Sequence, residues 1–405
     1  MTSTPVARTI SFLVPHTPIV RRLPPVVTHV PPRHIYVHVP FCRRRCSYCD
    51  FAIAVRRDVP ASEFIHAVAR EIDLRHPDRV PLDIDTLYFG GGTPSLLGGD
   101  GGAELMDRLR ERFRLSNGAE VTLEANPDDV SVESANAWRA AGVTRLSIGA
   151  QSFADRALAW MHRTHDSTQI EVAVAAARAA GIENLSLDLI FALPESLGRD
   201  WRYDLRRALA LEPAHLSLYG LTVEPATPLA RWRDRRQVDE APDELYEREF
   251  LAAHEMLGAA GFEHYEVSNY ARPGHRARHN SSYWQHVPYS GFGPSAHSFD
   301  ARERRWNARE FAEWMRRVHE GGDPIAGREV LTEENLETER IYLALRTNEG
   351  VDLRASGLVA DSEMLDRWAD QGWAERTETR LRLTPTGWLR LDALATDLTT
   401  LSSHS

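Results

Sequence analysis

Six short apolar runs rich in β-branched residues alternate with stretches of helical spacing, and this alternation constrains the fold more than any other feature. The runs are Ile35–Phe41, Thr86–Gly91, Glu120–Ala125, Arg145–Ala150, Leu185–Phe191 and His215–Leu221. Between them lie Ala61–Leu74, Ala103–Phe113, Val132–Ala141, Gln169–Ala180 and Trp201–Leu211. A strand followed by a helix at this interval gives βα units around a parallel sheet. Six units are too few to close an eight-stranded barrel, so the expected α/β fold is an open, partial (β/α)6 barrel.

Ligand-binding residues of such barrels gather at the C-terminal ends of the strands. Here the first strand runs into Cys42-Arg43-Arg44-Arg45-Cys46-Ser47-Tyr48-Cys49, and the second ends in Gly90-Gly91-Gly92-Thr93-Pro94. The third carries Glu124, the fourth ends at Gln151, and the fifth holds Asp188. Singly each is weak, since a GGGTP run is more often a tight turn than a ligand site. Together they describe one shared cleft.

The chain has three cysteines, all within eight positions, spaced CxxxCxxC. Three clustered thiolates can hold three irons of a [4Fe–4S] cluster and leave the fourth iron open to another ligand. An odd thiol count argues against a disulfide framework. A zinc site of three cysteines and a histidine stays open, although zinc knuckles usually pair their cysteines across a longer gap.

All 48 basic residues are arginine, most economically read as codon bias in a GC-rich genome, and the formal charge of −10 argues against a general nucleic-acid binder. No apolar run approaches the ~20 residues that span a bilayer, and Met1–Pro32 lacks the apolar core of a signal peptide. A reducing cytoplasm is the expected location of free thiols and an oxygen-sensitive cluster.

These motifs resemble the radical S-adenosylmethionine (SAM) superfamily. The resemblance runs over roughly residues 33–390 and is greatest to the branch of oxygen-independent coproporphyrinogen III oxidases and HemW-type heme chaperones. It rests on Tyr36–Cys42, Cys46–Phe51, Gly90–Ser95, Ser147–Phe153, Tyr265–Tyr270, His279–Trp284 and Gly291–Phe299. It implies that Cys42, Cys46 and Cys49 bind the cluster and that SAM chelates the open iron. It further implies that Tyr36 and Tyr48 line the SAM site and that the backbone at Gly92 and Thr93 receives the SAM amino group. By the same resemblance Glu124, Gln151, Arg163 and Asp188 are polar contacts of SAM, a zwitterion carrying a sulfonium. No residue is assigned a catalytic role.

Within this branch the oxidases carry a further cysteine two positions after the third, where this chain has Phe51. That favours the chaperone, which would bind heme and deliver it to acceptor proteins, respiratory ones among them. The alternatives are radical oxidative decarboxylation of coproporphyrinogen III and a zinc-bound regulator of DNA. His279 in His279-Asn280-x-x-Tyr283-Trp284 resembles the branch's heme-linked motif, with Arg272, Arg276 and Arg278 near enough in sequence for propionates; His297 is a rival ligand. Ala192 stands where the shared pattern has glycine, a harmless change unless φ is positive there.

After about residue 325 the pattern becomes helix (Glu333–Leu345), helix (Ser362–Gln371), hairpin (Trp373–Leu383) and a final helix through Leu394 capped by Thr384. This resembles a small α+β winged-helix module, expected to serve packing rather than DNA, because it has no basic recognition helix. The expected layout is a Pro-rich leader (1–32), the barrel with its extension (33–325), the winged-helix-like unit (326–395) and a tail (396–405). A homodimer is left open, and no integral membrane segment is expected.

Overall fold

The computed structural model describes residues 31–78, 80–354 and 362–402; the leader, apart from its last two residues, lies outside them. The six expected strands form β1 (His34–Val39), β2 (Leu82–Gly91), β3 (Phe113–Ala125), β4 (Arg145–Gln151), β5 (Asn184–Phe191) and β6 (His215–Gly220). They pair in parallel, each with the next in sequence. Tyr289–Phe292 adds in parallel outside β1 and is followed by the antiparallel strands His297–Phe299, Glu303–Asn307 and Ile325–Val330. Asn269–Ala271 and Glu263–Glu266 extend the sheet antiparallel beyond β6, which makes twelve strands in all.

Alternation along the strands sorts the side chains by polarity. Ile35, Val37 and Val39 of β1, Leu87 and Phe89 of β2, and Leu146 and Ile148 of β4 belong to the apolar core that the surrounding helices cover. The opposite face turns polar groups into the barrel: His34 and Thr86 are bonded at 3.0 Å, Tyr88 and Glu124 at 2.7 Å, and Ser147 and Asp188 at 3.0 Å. The barrel therefore encloses a hydrogen-bonded interior, and its dry core lies between sheet and helices.

Helix ends follow local chemistry. Val132–Ala141 opens on a capping box between Ser131 and Ser134, and Gly142 closes it at φ 102°. Ser167–Ala179 has the same device in Asp166 and Gln169.

Ala192 sits in the left-handed region at φ 54°, so the alanine is strained where glycine would not be. Its amide is held there by the Glu249 carboxylate at 2.6 Å, itself paired with Arg199 at 2.7 Å. Ala192→Gly should raise stability by about 1 kcal/mol, read as a higher melting temperature, provided the loop keeps its contacts.

Glu333–Leu345, Ser362–Asp370 and a three-stranded sheet (Val351–Asp352, Arg380–Leu383, Ala374–Arg376) form the winged-helix-like unit. Two details differ from expectation. Thr384 caps a helix through Gly387 N at 3.1 Å, but that helix ends at Trp388, and a separate one runs from Leu391 to Ser402 through most of the expected tail. A Cβ at Gly387 would lie 1.9 Å from Trp373 O, so this turn is pressed against the hairpin rather than continued. Ile325–Val330 still pairs with Glu303–Asn307, and we propose the boundary after Val330 instead of after residue 325.

The unit is tied to the barrel mouth. Arg346, buried, pairs with buried Glu266 at 2.9 Å and lies 4.2 Å from the Trp284 ring centre, and Asn348 N donates to Tyr265 O. Among the described residues no helix is long and apolar enough to cross a membrane.

Candidate functional site

The strand ends converge on one cavity of about 530 Å³. Its wall contains Cys42, Cys46, Cys49 and Tyr48 from the loop after β1, and Gly92 and Thr93 after β2. Glu124, Gln151 and Asp188 come from β3, β4 and β5, and Arg163 from the segment that follows β4. Ten of the twelve residues expected at the site are thus brought together.

The cysteine loop is pinned from both sides. Ala54 N donates to Pro40 O at 2.7 Å, Ser47 N to Met161 O at 3.1 Å, and Arg43 pairs with Asp129 at 2.8 Å. A Cβ at Gly92 would lie 2.6 Å from Phe41 O, so glycine is required there for the β2 end to pack under the loop. The Gly92 amide is spent on Val39 O at 2.8 Å and Thr93 O accepts from Leu96 N at 3.0 Å, so the segment can meet an amino group only through its carbonyl oxygens.

Among the described residues no three His, Cys, Asp or Glu side chains converge on a point where one metal ion would sit. That disfavours the mononuclear zinc reading. Thiolates that each bind a different iron need not converge. The donor set therefore fits three corners of a cluster, with no fourth cysteine in the chain. Burial raises the Cys42 thiol and pushes Cys49 up to about 12, so both are protonated until a metal displaces the proton. Thr93 Oγ1 lies 3.6 Å from Cys42 Sγ, and Arg163 donates to Cys46 Sγ at 3.4 Å.

Arg163 also donates to Gly149 O and to Asn126 Oδ1, which fixes its plane across the cavity wall. Gln151 takes φ 64° at the end of β4, a left-handed turn that aims its amide at Gly149. Glu124 receives the Tyr88 hydroxyl at 2.7 Å and the Gly91 amide at 3.1 Å. Burial, with Asp188 adding repulsion, pushes its carboxyl up to about 7. Asp188 is raised by burial as well, although Arg145 opposes the shift.

Two expected residues lie elsewhere. Tyr36 is turned into the barrel, where its hydroxyl meets His38 Nδ1 at 3.1 Å, and it borders a separate cleft. His279 is 1% exposed, and both ring nitrogens are engaged, Nδ1 with Thr86 Oγ1 at 2.6 Å and Nε2 with Tyr283 OH at 2.8 Å. Burial holds it down at about 3. In this arrangement the ring offers iron neither a free lone pair nor access, which does not support the axial-ligand role expected of His279. Nor are Arg272, Arg276 and Arg278 free for propionates as a group: Arg276 pairs with Glu263 and Glu349, and Arg272 lies 4.7 Å from the Phe262 ring centre.

Sequence reasoning missed Arg346, Trp388 and Asp392, which the C-terminal unit contributes to the cavity. They stand in no motif, and only the docking of that unit brings them there.

The Radical SAM superfamily profile matches residues 36–208. The chain is 37% identical over 363 residues to "Heme chaperone HemW" of Synechocystis sp., covering 86% of this chain and 87% of that protein. It is 36% identical over 370 residues to "Heme chaperone HemW" of Mycobacterium tuberculosis, covering 91% and 95%. Coproporphyrinogen III oxidase (HemN) from Escherichia coli has a similar fold, with a TM-score of 0.79 over 92% of each chain at 23% identity.

Proposed function

Because the chain belongs to the HemW family of the radical SAM superfamily, we propose that it binds heme and passes it to acceptor proteins, carrying a [4Fe–4S] cluster with exchangeable SAM. The observation that carries the reading is the open set of three thiols on a polar, well-braced cavity, followed by Phe51. When bound, the cluster and SAM supply one-electron chemistry at the sulfonium.

The chain's own part is binding and orientation. Cys42, Cys46 and Cys49 hold three irons. Carbonyls near Gly92 and Thr93 would accept from the SAM amino group, and Arg163 offers donors to its carboxylate. Glu124 and Asp188 would offer carboxyl groups to the hydroxyls and the positive charge of SAM, and Gln151 an amide. The C-terminal unit shields the cavity from water through Trp388 and Leu391. We place the protein in the cytoplasm, where its thiols stay reduced.

Heme-loaded protein incubated anaerobically with an apo-acceptor, followed by separation of the two, should show heme on the acceptor. The same preparation given coproporphyrinogen III, SAM and reductant should form no protoporphyrinogen. Product in the second assay without transfer in the first would replace the chaperone reading with the oxidase one.

A further inference from the structure

A second cleft, of about 250 Å³, opens on the other side of the cysteine loop, between it and the strands added outside β1. Phe51, Tyr283, Tyr289, Ser295, His297 and Arg309 are among its lining. It shares Asp50 and Phe51 with the cavity that gathers the three cysteines, and its other lining residues are its own.

Three imidazoles line the two spaces. His38 is tied to Tyr36 OH and Ala52 O, and His162 to the backbone of Arg45. His297 differs: among the described residues its ring nitrogens make no hydrogen bond. Its ring lies nearly parallel to that of Trp306, with centres 5.9 Å apart, which fixes its direction while leaving the nitrogens open. Its side chain is exposed, while partial desolvation by the protein around it and the charge of Arg304 hold it below the ordinary imidazole range, so the lone pair is available at neutral pH.

The groups around it suit an amphiphilic planar ligand. Phe51 is 62% exposed, an apolar ring offered to solvent at the cleft. Arg309 spends one donor on Asp50 O and retains the rest for a carboxylate. Volume points the same way. At about 530 Å³ the main cavity is in the range of a site for one drug-sized ligand, and cluster and SAM would occupy it. The smaller cleft would take one edge and face of a macrocycle and leave the remainder exposed, as handing it on requires.

We propose that this cleft is the heme site, with His297 ligating the iron, Phe51 packing on the macrocycle and Arg309 pairing with a propionate. The assignment rests on the heme-binding reading above.

The test is an anaerobic hemin titration of the cluster-reconstituted full chain, read by Soret absorbance and repeated with metal-free protoporphyrin. Wild type should saturate near one heme per chain. His297→Ala should weaken hemin about tenfold or more and shift the Soret band, with iron, sulfide and melting temperature unchanged. Metal-free porphyrin, which has no iron to ligate, should bind wild type and His297→Ala alike, and Arg309→Ala should weaken both ligands. Unaltered hemin affinity and spectrum in His297→Ala would overturn the cleft assignment and leave the heme reading standing. No saturable hemin binding by wild type would overturn both.

Discussion

Changing any one of Cys42, Cys46 and Cys49 to serine should leave the anaerobically reconstituted protein with little iron and sulfide, and changing all three should remove both. The effect is large because each thiol is expected to hold its own iron and the chain has no fourth cysteine to substitute. Nor do nearby carboxylates and imidazoles group into an alternative metal site among the described residues. Folding should survive: the loop is held by backbone bonds from Ala54 and Ser47 and by the Arg43–Asp129 pair, none of which uses sulfur. Full iron and sulfide in the triple variant would reject the cluster assignment. Zinc without sulfide in the wild type would revive the structural-zinc alternative.

Glu124→Gln should weaken SAM binding and stabilise the ligand-free protein, and the second effect should depend on pH. In the folded chain burial pushes the Glu124 carboxyl up to about 7, from an ordinary 4.5. Between those values the unfolded chain releases its proton while the folded one keeps it. Stability therefore falls as pH rises through that window and levels off above about pH 7. The gap corresponds to about 3 kcal/mol of destabilisation at pH 8. Glutamine can keep its oxygen on Gly91 N and donate its amide to the Tyr88 hydroxyl, without the charge, so it should melt a few degrees higher at pH 8 and nearly with wild type at pH 4.5. Losing a charged acceptor at about 1.5–3 kcal/mol should raise the SAM dissociation constant about 10- to 100-fold by calorimetry. Unchanged SAM affinity would remove Glu124 from the site. A stability gain equal at both pH values would mean that the carboxyl ionises normally.

The barrel was legible because its signal is local and repeated. Each of β1 to β6 announces itself by a short apolar run, and the polar residue at its end falls where parallel strands must present ligands. Ten site residues followed from that rule together with the family resemblance. What failed did so for lack of tertiary information. The sequence motif ranks His279 ahead of His297 as a ligand. Only packing shows that the first is locked between Thr86 and Tyr283 and the second is unbonded. Tyr36 faces the barrel interior because its place in the alternation of β1 decides its side, whatever the motif around it implies. The break after Trp388 comes from contact between Gly387 and the hairpin, which residue propensities do not encode. Arg346 reaches the cavity through its pairing with Glu266, a contact across 80 positions of sequence.

That wall, supplied by Tyr342, Arg346, Trp388 and Asp392, sets an order of events during synthesis. The cysteine loop leaves the ribosome about 350 residues ahead of Asp392, an interval of about 20 to 70 s at ordinary elongation rates of roughly 5–20 residues per second. Throughout that interval the three thiols face an unfinished, open bay. Delivery of a preassembled cluster is unobstructed then, and afterwards it meets a cavity on which those four residues form a wall.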